Sequence, residues 1–483
     1  MKKTALAALA GLLYTLAFPT FNLWPLIGVF AVPLLFLIDD AVPLEAFLYG
    51  LIAGIVAWGG NIYWVAYVMH IYGYLNLALS ALILLIFIVY LALYFGLFAW
   101  LAGRVLKNRY AFAVIPGIWI LLELIRTYAF TGFPWSLAGY ALYPVTPLVQ
   151  NAEWGGVYLL SGLILMANTA LYKAVKRDFK PLLATVVVIA LCVTWGEWRM
   201  RNYTMEGKTL KVGVCQANIP QDQKWLEQMV YPTIDIYARL TRKALGQGAE
   251  IVAWPETACN FYLFLQWMPT ARVIGLTREE KAEFLIGSPA YENDQYFNRV
   301  YLIKEGLIKG YYDKTHLVPF GEYVPLPWLF KPLFGKLVQE VSDFSKARDL
   351  APVEDIGALV CFEIVFPDLS RKLCRKGASY LVNASNDAWF KTWSTPEQHL
   401  KMAAFRAIEN RRYLVMPVNH GISAIIDPMG RIVKSIGLLQ EDVIVADIRK
   451  LSYQTFYTRL GPIIAWLWAI AGLTLLAMSW RKP

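Results

Sequence analysis

Charge is scarce in this chain: only 17% of its 483 residues are Asp, Glu, Lys or Arg, while 58% are apolar on a wide count. Ordinary globular domains carry about 25% charged residues, so disorder is excluded and a wholly water-soluble protein is disfavoured. Histidine is scarcer still, and His70, His316, His399 and His420 are too scattered to suggest a ligand set. Cys192, Cys215, Cys259, Cys361 and Cys374 are odd in number, widely spaced and free of any C-x-x-C pair, so neither a disulfide framework nor a zinc site follows. G-x-S-x-G, H-E-x-x-H and a glycine-rich phosphate loop are all missing. A Ser-His-Asp hydrolase and a zinc enzyme are therefore disfavoured.

Positive charge is also missing locally, and that shortage carries information. Residues 1–198 hold 10 of the 45 Lys+Arg, and residues 199–483 hold the other 35. The poor half reads as seven apolar segments, near 4–20, 22–38, 44–66, 75–102, 111–129, 155–173 and 181–196, with an eighth at about 461–479. Most reach the ~20 residues needed to span ~30 Å of hydrocarbon. The first two are short and interrupted by proline, which also permits a re-entrant pair; the fourth is long enough to require tilt or an extension beyond the bilayer.

Basic residues flank alternate loops: Lys2 and Lys3, then Arg104, Lys107 and Arg109, then Lys173, Lys176, Arg177 and Lys180, and finally Arg481 and Lys482. The intervening loops 19–21, 67–74 and 130–154 contain no Lys or Arg. Positive residues mark the cytoplasmic side, so both termini are expected inside and residues 199–460 outside. The formal charge of +10 is then a membrane-topology signal, not a sign of nucleic-acid binding. The first ten residues have the form of a signal peptide, but the next span follows at once. Removing the first segment would invert the basic pattern of every later loop, so it is expected to be retained.

Three parts are expected: a membrane domain over 1–198, an extracytoplasmic domain over 199–460, and an eighth transmembrane helix with a cytoplasmic tail over 461–483. Within the middle part, strand patterns at Leu210–Gln216, Glu250–Trp254, Phe284–Ser288, Arg299–Ile303, Gly357–Phe362, Ser379–Asn383, Tyr413–Val418, Ser423–Asp427 and Val443–Asp447 alternate with helical patterns near 227–247, 366–376 and 396–412. That alternation predicts one α/β domain.

Active sites of α/β folds lie just after apolar strands. Three segments fit: Trp254-Pro255-Glu256, the run Tyr312 to Glu322 containing Lys314, and Gly357 to Ile364, where a strand ends in Cys361. A carboxylate, an amine and a thiol are the parts of a nucleophilic acyl-transfer site. A helix N-terminus and a lysine cation are expected to lower the thiol pKa. Glu256 would remove the proton on attack, while Lys314 and a backbone amide after Cys361 would stabilise the oxyanion.

Trp254-Pro255-Glu256, Lys314-Thr315-His316-Leu317-Val318-Pro319-Phe320-Gly321-Glu322 and Cys361-Phe362-Glu363 resemble the three catalytic segments of the nitrilase superfamily, which uses a Glu-Lys-Cys triad. A domain of that kind between the seventh and eighth of eight spans resembles the apolipoprotein N-acyltransferase family. Gly132 to Trp135 with Thr131, Gln216 to Gln221 with Lys224-Trp225, and Ser385 to Phe390 add to the resemblance.

The resemblance implies a multi-span α-helical membrane domain carrying a nitrilase-like αββα sandwich. Glu256 would be general base, Lys314 oxyanion stabiliser and Cys361 nucleophile. Glu322 and Glu363 would support Lys314 and the nucleophile loop. Trp225 and Trp135 would line the lipid entrance, and Phe362, Asn386 and Trp389 are further candidate substrate contacts. Asn386 and Asp387 also fit a loop fixed by Asx-type hydrogen bonds. Phe362 stands where family members often have Tyr. The implied partners are a glycerophospholipid acyl donor, a diacylglyceryl-lipoprotein acceptor and the bilayer, with a monomeric enzyme in the bacterial inner membrane and neither metal nor cofactor. Two other readings are a membrane-anchored amidase, in which water attacks the thioester, and an inert lipoprotein-docking module. Glu123 and Arg126, three residues apart in the fifth span, fit either a functional intramembrane pair or a paired structural contact beneath the outer domain.

Overall fold

Long apolar runs become helices here because a helix pairs its own backbone polar groups, the only arrangement besides a closed barrel that hydrocarbon tolerates. The computed structural model describes residues 2–325, 328, 344–390 and 394–480. Among these, Pro43–Ile62, Leu77–Val105, Ala111–Tyr128, Ala152–Val175 and Lys180–Asn202 are long and apolar enough to cross a membrane. The first two expected segments are shorter. Helix Lys2–Leu16 ends before Pro19, and the next segment divides into a 3-10 turn, Trp24–Gly28, and a short helix, Val32–Ile38, each with a proline in its first turn. The last helix is Ile463–Trp480. Arg481 and Lys482, used above for orientation, lie outside the described residues.

Small residues set the packing distance in the bundle. A Cβ added to Gly50 would lie 2.3 Å from the Phe95 carbonyl, so helices Pro43–Ile62 and Leu77–Val105 approach closely only because that position is glycine. Glu123 and Arg126 do not pair with each other, contrary to expectation. Glu123 accepts from the Trp119 indole and the Ala138 amide at 2.8 Å, and Arg126 donates to the Phe133 and Trp135 carbonyls at 2.9 Å. The loop after this helix supplies carbonyls and amides nearer to each charge than the other charge is, so both residues hold that loop.

The middle part is a four-layer sandwich. One sheet has the order β11-β1-β2-β3-β4-β5, from Asp442–Arg449, Thr209–Gln216, Ile251–Ala253, Glu283–Glu292, Gln295–Lys304 and Leu307–Asp313. The second has the order β10-β9-β8-β7-β6, from Ile432–Ile436, Ser423–Ile426, Leu414–Met416, Tyr380–Ala384 and Ile356–Val360. Alternation along the strands divides their side chains. Val212, Val214, Ile251, Ala253, Leu285 and Leu302 face Ala358, Val360, Val382 and Val415 between the sheets, while Cys215, Val252, Trp254, Phe284 and Ile286 pack under helices Val230–Gly246 and Trp267–Glu279. Helices Pro367–Arg375 and Ser394–Asn410 cover the other sheet, and their apolar faces are continuous with the core of the helical bundle. The sandwich is thus seated on the bundle through one helical layer.

Among the described residues, β5, β10, helix Trp267–Glu279 and the short helices Gln221–Lys224 and Phe456–Leu460 escape the sequence patterns. β5 and β10 are the outermost strands of their sheets. Their exposed residues, such as Lys309 and Lys434, interrupt the apolar run that identifies an interior strand.

Candidate active site

The carboxyl ends of strands from both sheets converge. Glu256 follows β2 in a loop anchored by Trp254, whose indole stacks on Tyr237 at 4.8 Å and donates to Thr241 at 3.0 Å. The loop lies against β3 at Gly287, where an added Cβ would come within 2.2 Å of the Pro255 carbonyl. Lys314 follows β5, with its amide bonded to the Asn298 carbonyl at 2.9 Å. Cys361 follows β6 with φ +50, a left-handed conformation unusual for a non-glycine residue. It begins a five-residue 3-10 turn. Backbone strain of this kind clusters at functional sites.

Lys314 Nζ lies 2.8 Å from Glu322 Oε1 and 3.7 Å from Glu256 Oε1. Asn298 Nδ2 donates to both carboxylates, at 2.7 Å to Glu256 and 3.1 Å to Glu322. Glu322 also accepts the Val318 amide at 2.8 Å. Glu256 Oε2 is buried and has no hydrogen-bond partner among the described residues. This carboxylate therefore has one oxygen fixed and one available.

Burial pushes the Glu256 pKa above the usual glutamate range; Lys314 opposes that shift and Glu322 adds to it. Burial lowers the Lys314 pKa, but Glu322 and Glu256 outweigh it, so Lys314 remains an ammonium ion. For Cys361, burial and then the Glu256 charge raise the thiol well above its ordinary range, against the pull of Lys314. This corrects the expectation of a lowered thiol pKa. A short turn and one cation do not offset full burial beside a carboxylate, so the thiol is held in its neutral form.

Glu363 is fully buried and ties two loops together. Its Oε1 accepts from Tyr312 Oη, the Thr315 amide, the Thr315 hydroxyl and the His316 amide at 2.7–2.9 Å, and its Oε2 accepts from the Val360 amide at 2.8 Å. One carboxylate thus spans the Lys314 loop and the start of the Cys361 turn. The His316 ring lies 3.9 Å from Phe366, and burial, with Lys346 and Lys314, lowers its pKa to about 4, leaving it neutral.

The remaining candidates are placed unequally. Trp135 is 1% exposed, stacked near Phe133, Phe362 and His399, and donates to Gln398 at 2.5 Å. It underlies the nucleophile turn instead of lining an open entrance. Trp225 is 49% exposed at the rim, and Trp389 is 36% exposed beside Tyr72. Asn386 is buried, donating to Gln221 at 2.8 Å and accepting from Asn419 at 3.1 Å. Phe362 packs edge-on against Phe366 at 5.2 Å.

Two polar residues at the site were not singled out by sequence reasoning. Asn298 carries no signal beyond being an amide inside an apolar strand. Lys224 is 1% exposed and donates to the Glu256 carbonyl at 3.1 Å and the Thr257 hydroxyl at 2.6 Å.

Fold and site define an α/β enzyme of the carbon-nitrogen hydrolase class, carried on a bundle of apolar helices. The carbon-nitrogen hydrolase family model matches residues 211–457, and the model for the apolipoprotein N-acyltransferase N-terminal domain matches residues 10–170. A curated apolipoprotein N-acyltransferase of Geobacter metallireducens is 37% identical over 497 residues, covering 99% of this chain and 95% of its own. Those of Pseudomonas paraeruginosa and Photobacterium profundum are each 32% identical, covering 98% and 99% of this chain and 94% and 95% of theirs. Saccharomyces cerevisiae Nit3, a member of the nitrilase superfamily, aligns with a TM-score of 0.40 at 19% identity, over 51% of this chain and 92% of its own. The chain belongs to the apolipoprotein N-acyltransferase family and is an acyltransferase of the nitrilase superfamily.

Proposed function

We propose that this chain moves an acyl group from a glycerophospholipid to the α-amino group of a lipoprotein's N-terminal diacylglyceryl-cysteine, by way of a thioester on Cys361. In the first step Glu256 takes the thiol proton as sulfur attacks the ester carbonyl. Lys314 and a backbone amide of the turn stabilise the oxyanion. Collapse expels the lysophospholipid alkoxide, which recovers the proton from Glu256. In the second step the acceptor amine attacks the thioester and gives a proton to Glu256. Collapse forms the amide and releases the sulfur, which is reprotonated.

The observation that carries this reading is the unequal bonding of Glu256: Oε1 is held by Asn298 near Lys314, while Oε2 is buried without a partner. A carboxylate so arranged is oriented and still free to accept a proton. Glu322 and Glu363 support the lysine and the nucleophile turn. Trp225, Trp135, Phe362, Asn386 and Trp389 form the surroundings that receive the lipid chains, those at the rim by contact and the buried ones by shaping the wall. The enzyme is a monomer in the bacterial inner membrane. Residues 1–198 and 461–483 hold the membrane helices, with both termini cytoplasmic and 199–460 on the outer face.

Incubating the protein with labelled phospholipid tests the thioester directly. A hydroxylamine-sensitive label on wild-type protein that is lost in Cys361→Ala is expected. No adduct in wild type, or an adduct that persists in the variant, would overturn it.

A further inference from the structure

A second buried lysine lies beside the proposed base, and the triad does not account for it. The short helix Gln221–Lys224 bridges the two sheets. At one end Gln221 Oε1 accepts from Asn386 in the loop after β7. At the other, Lys224 Nζ donates to the Glu256 carbonyl at 3.1 Å and to Thr257 Oγ1 at 2.6 Å, and the Lys224 carbonyl accepts from Asn260 at 2.7 Å. Thr257 has φ +45, so the backbone immediately after the base is held in a left-handed conformation, and Lys224 grips that residue.

The partners of this ammonium are neutral. Among the described residues it forms no ion pair, although it is 1% exposed. A buried cation is costly unless it is paired. Its charge is offset only at longer range, by the groups that face it. These are Glu256 and Cys259 on the loop after β2 and Cys361 on the turn after β6, with Lys314 and Glu322 beyond Glu256. Burial lowers its pKa to about 8, against the pull of those groups, so it is charged at neutral pH.

We propose that Lys224 is a positioning residue for the general base: it fixes the Glu256–Thr257 backbone and supplies a positive charge that keeps the Glu256 side chain available as a carboxylate. This rests on reading Glu256 as the base. It also gives the segment before the exposed Trp225 a purpose, because displacement of that segment would withdraw the charge from the base.

The test is the pH profile of thioester formation on full-length protein, with labelled phosphatidylethanolamine as the probe. Removing the charge raises the Glu256 pKa further, so the acid limb moves to higher pH. Lys224→Gln retains a hydrogen-bond donor without charge, Lys224→Met retains neither, and Lys224→Arg retains the charge. The Gln and Met variants are expected to move the acid limb up by about one pH unit and so to slow the reaction by up to about 10-fold on the acid side of the limb. Lys224→Arg is expected to leave the limb in place. An unmoved limb in Lys224→Gln, with the wild-type thioester present, would overturn the assignment of Lys224 alone. No thioester in wild type would overturn the triad reading beneath it. If neither neutral variant folds, Lys224→Arg decides: a limb in the wild-type position supports the charge role, and a displaced one contradicts it.

Discussion

Where the sandwich meets the helical bundle, Arg411 and Glu153 are bonded to each other and to several further partners; around the loop after β2, Glu256 and Lys224 are bonded more sparingly. Arg411, at the end of helix Ser394–Asn410, donates to Glu153, to the Gln150 side chain and carbonyl, and to the Pro428 carbonyl. Glu153 in turn accepts from Arg199 at 3.1 and 3.2 Å. The neighbouring Glu409 accepts the Val157 amide, which is left free where Gly156 breaks its helix with φ +68. The bonds from Arg411 to Glu153 and Gln150 hold one part of the molecule on the other, and those to Pro428 and from Arg199 fix the two charges within their own parts. At the site, Glu256 keeps one oxygen without a partner and Lys224 has no counter-ion in contact. The difference separates buried charge that stabilises a joint from buried charge that the proposed mechanism uses for proton transfer.

Substitutions can break that comparison. The largest effect is expected from Glu256→Gln, which keeps the shape and the Asn298 contact but removes the base. Thioester formation should fall by about 10³-fold with little change in Tm, in line with general-base contributions of 10²–10⁴. A large drop in Tm would make Glu256 a structural residue instead. Arg411→Leu should do the reverse. Removing one partner of a buried ion pair costs about 3–5 kcal/mol, here toward the lower figure because Arg199 still pairs with Glu153. Thermal unfolding should shift down markedly while the rate per folded molecule stays within about twofold. Loss of activity in fully folded Arg411→Leu would erase the distinction.

A smaller effect sharpens the same point. Burial and Glu256 hold the Cys361 thiol above its ordinary pKa, so its thiolate fraction is low at neutral pH and grows only as pH rises. Alkylation of Cys361 by iodoacetamide should be slow at neutral pH and keep rising past pH 9, with no plateau at lower pH. A plateau near pH 6 would mean a preformed thiolate.

Glu256 and Cys361 are legible because each follows a strand whose apolar run announces itself, whereas Lys314 follows β5, which does not, and is found through the motif Lys314 to Glu322. Periodicity also exposes the membrane helices, and proline marks the two that are short. Lys224 is hidden for a physical reason: it lies in the polar stretch Gln221–Lys224, which reads as an exposed turn until the fold closes Asn386 and Glu256 around it. Trp135 is misleading in the opposite sense. As an aromatic in an outer loop it resembles an interfacial anchor, but Arg126 and Glu123 draw that loop inward and bury it. β5 and β10 escape because most of their residues are exposed, whereas β6 and β11, also outermost, keep enough buried apolar positions to be read.

In the proposed reaction the thioester on Cys361 is an intermediate that an amine, not water, resolves. Acyl-enzyme formed with labelled phospholipid, freed of unreacted lipid and then mixed with a diacylglyceryl-cysteine peptide, measures this directly. The account predicts that label leaves Cys361 as an amide on the peptide α-amino group, at a rate no slower than steady-state turnover. Release of the label as free fatty acid, with the peptide unmodified, would contradict it.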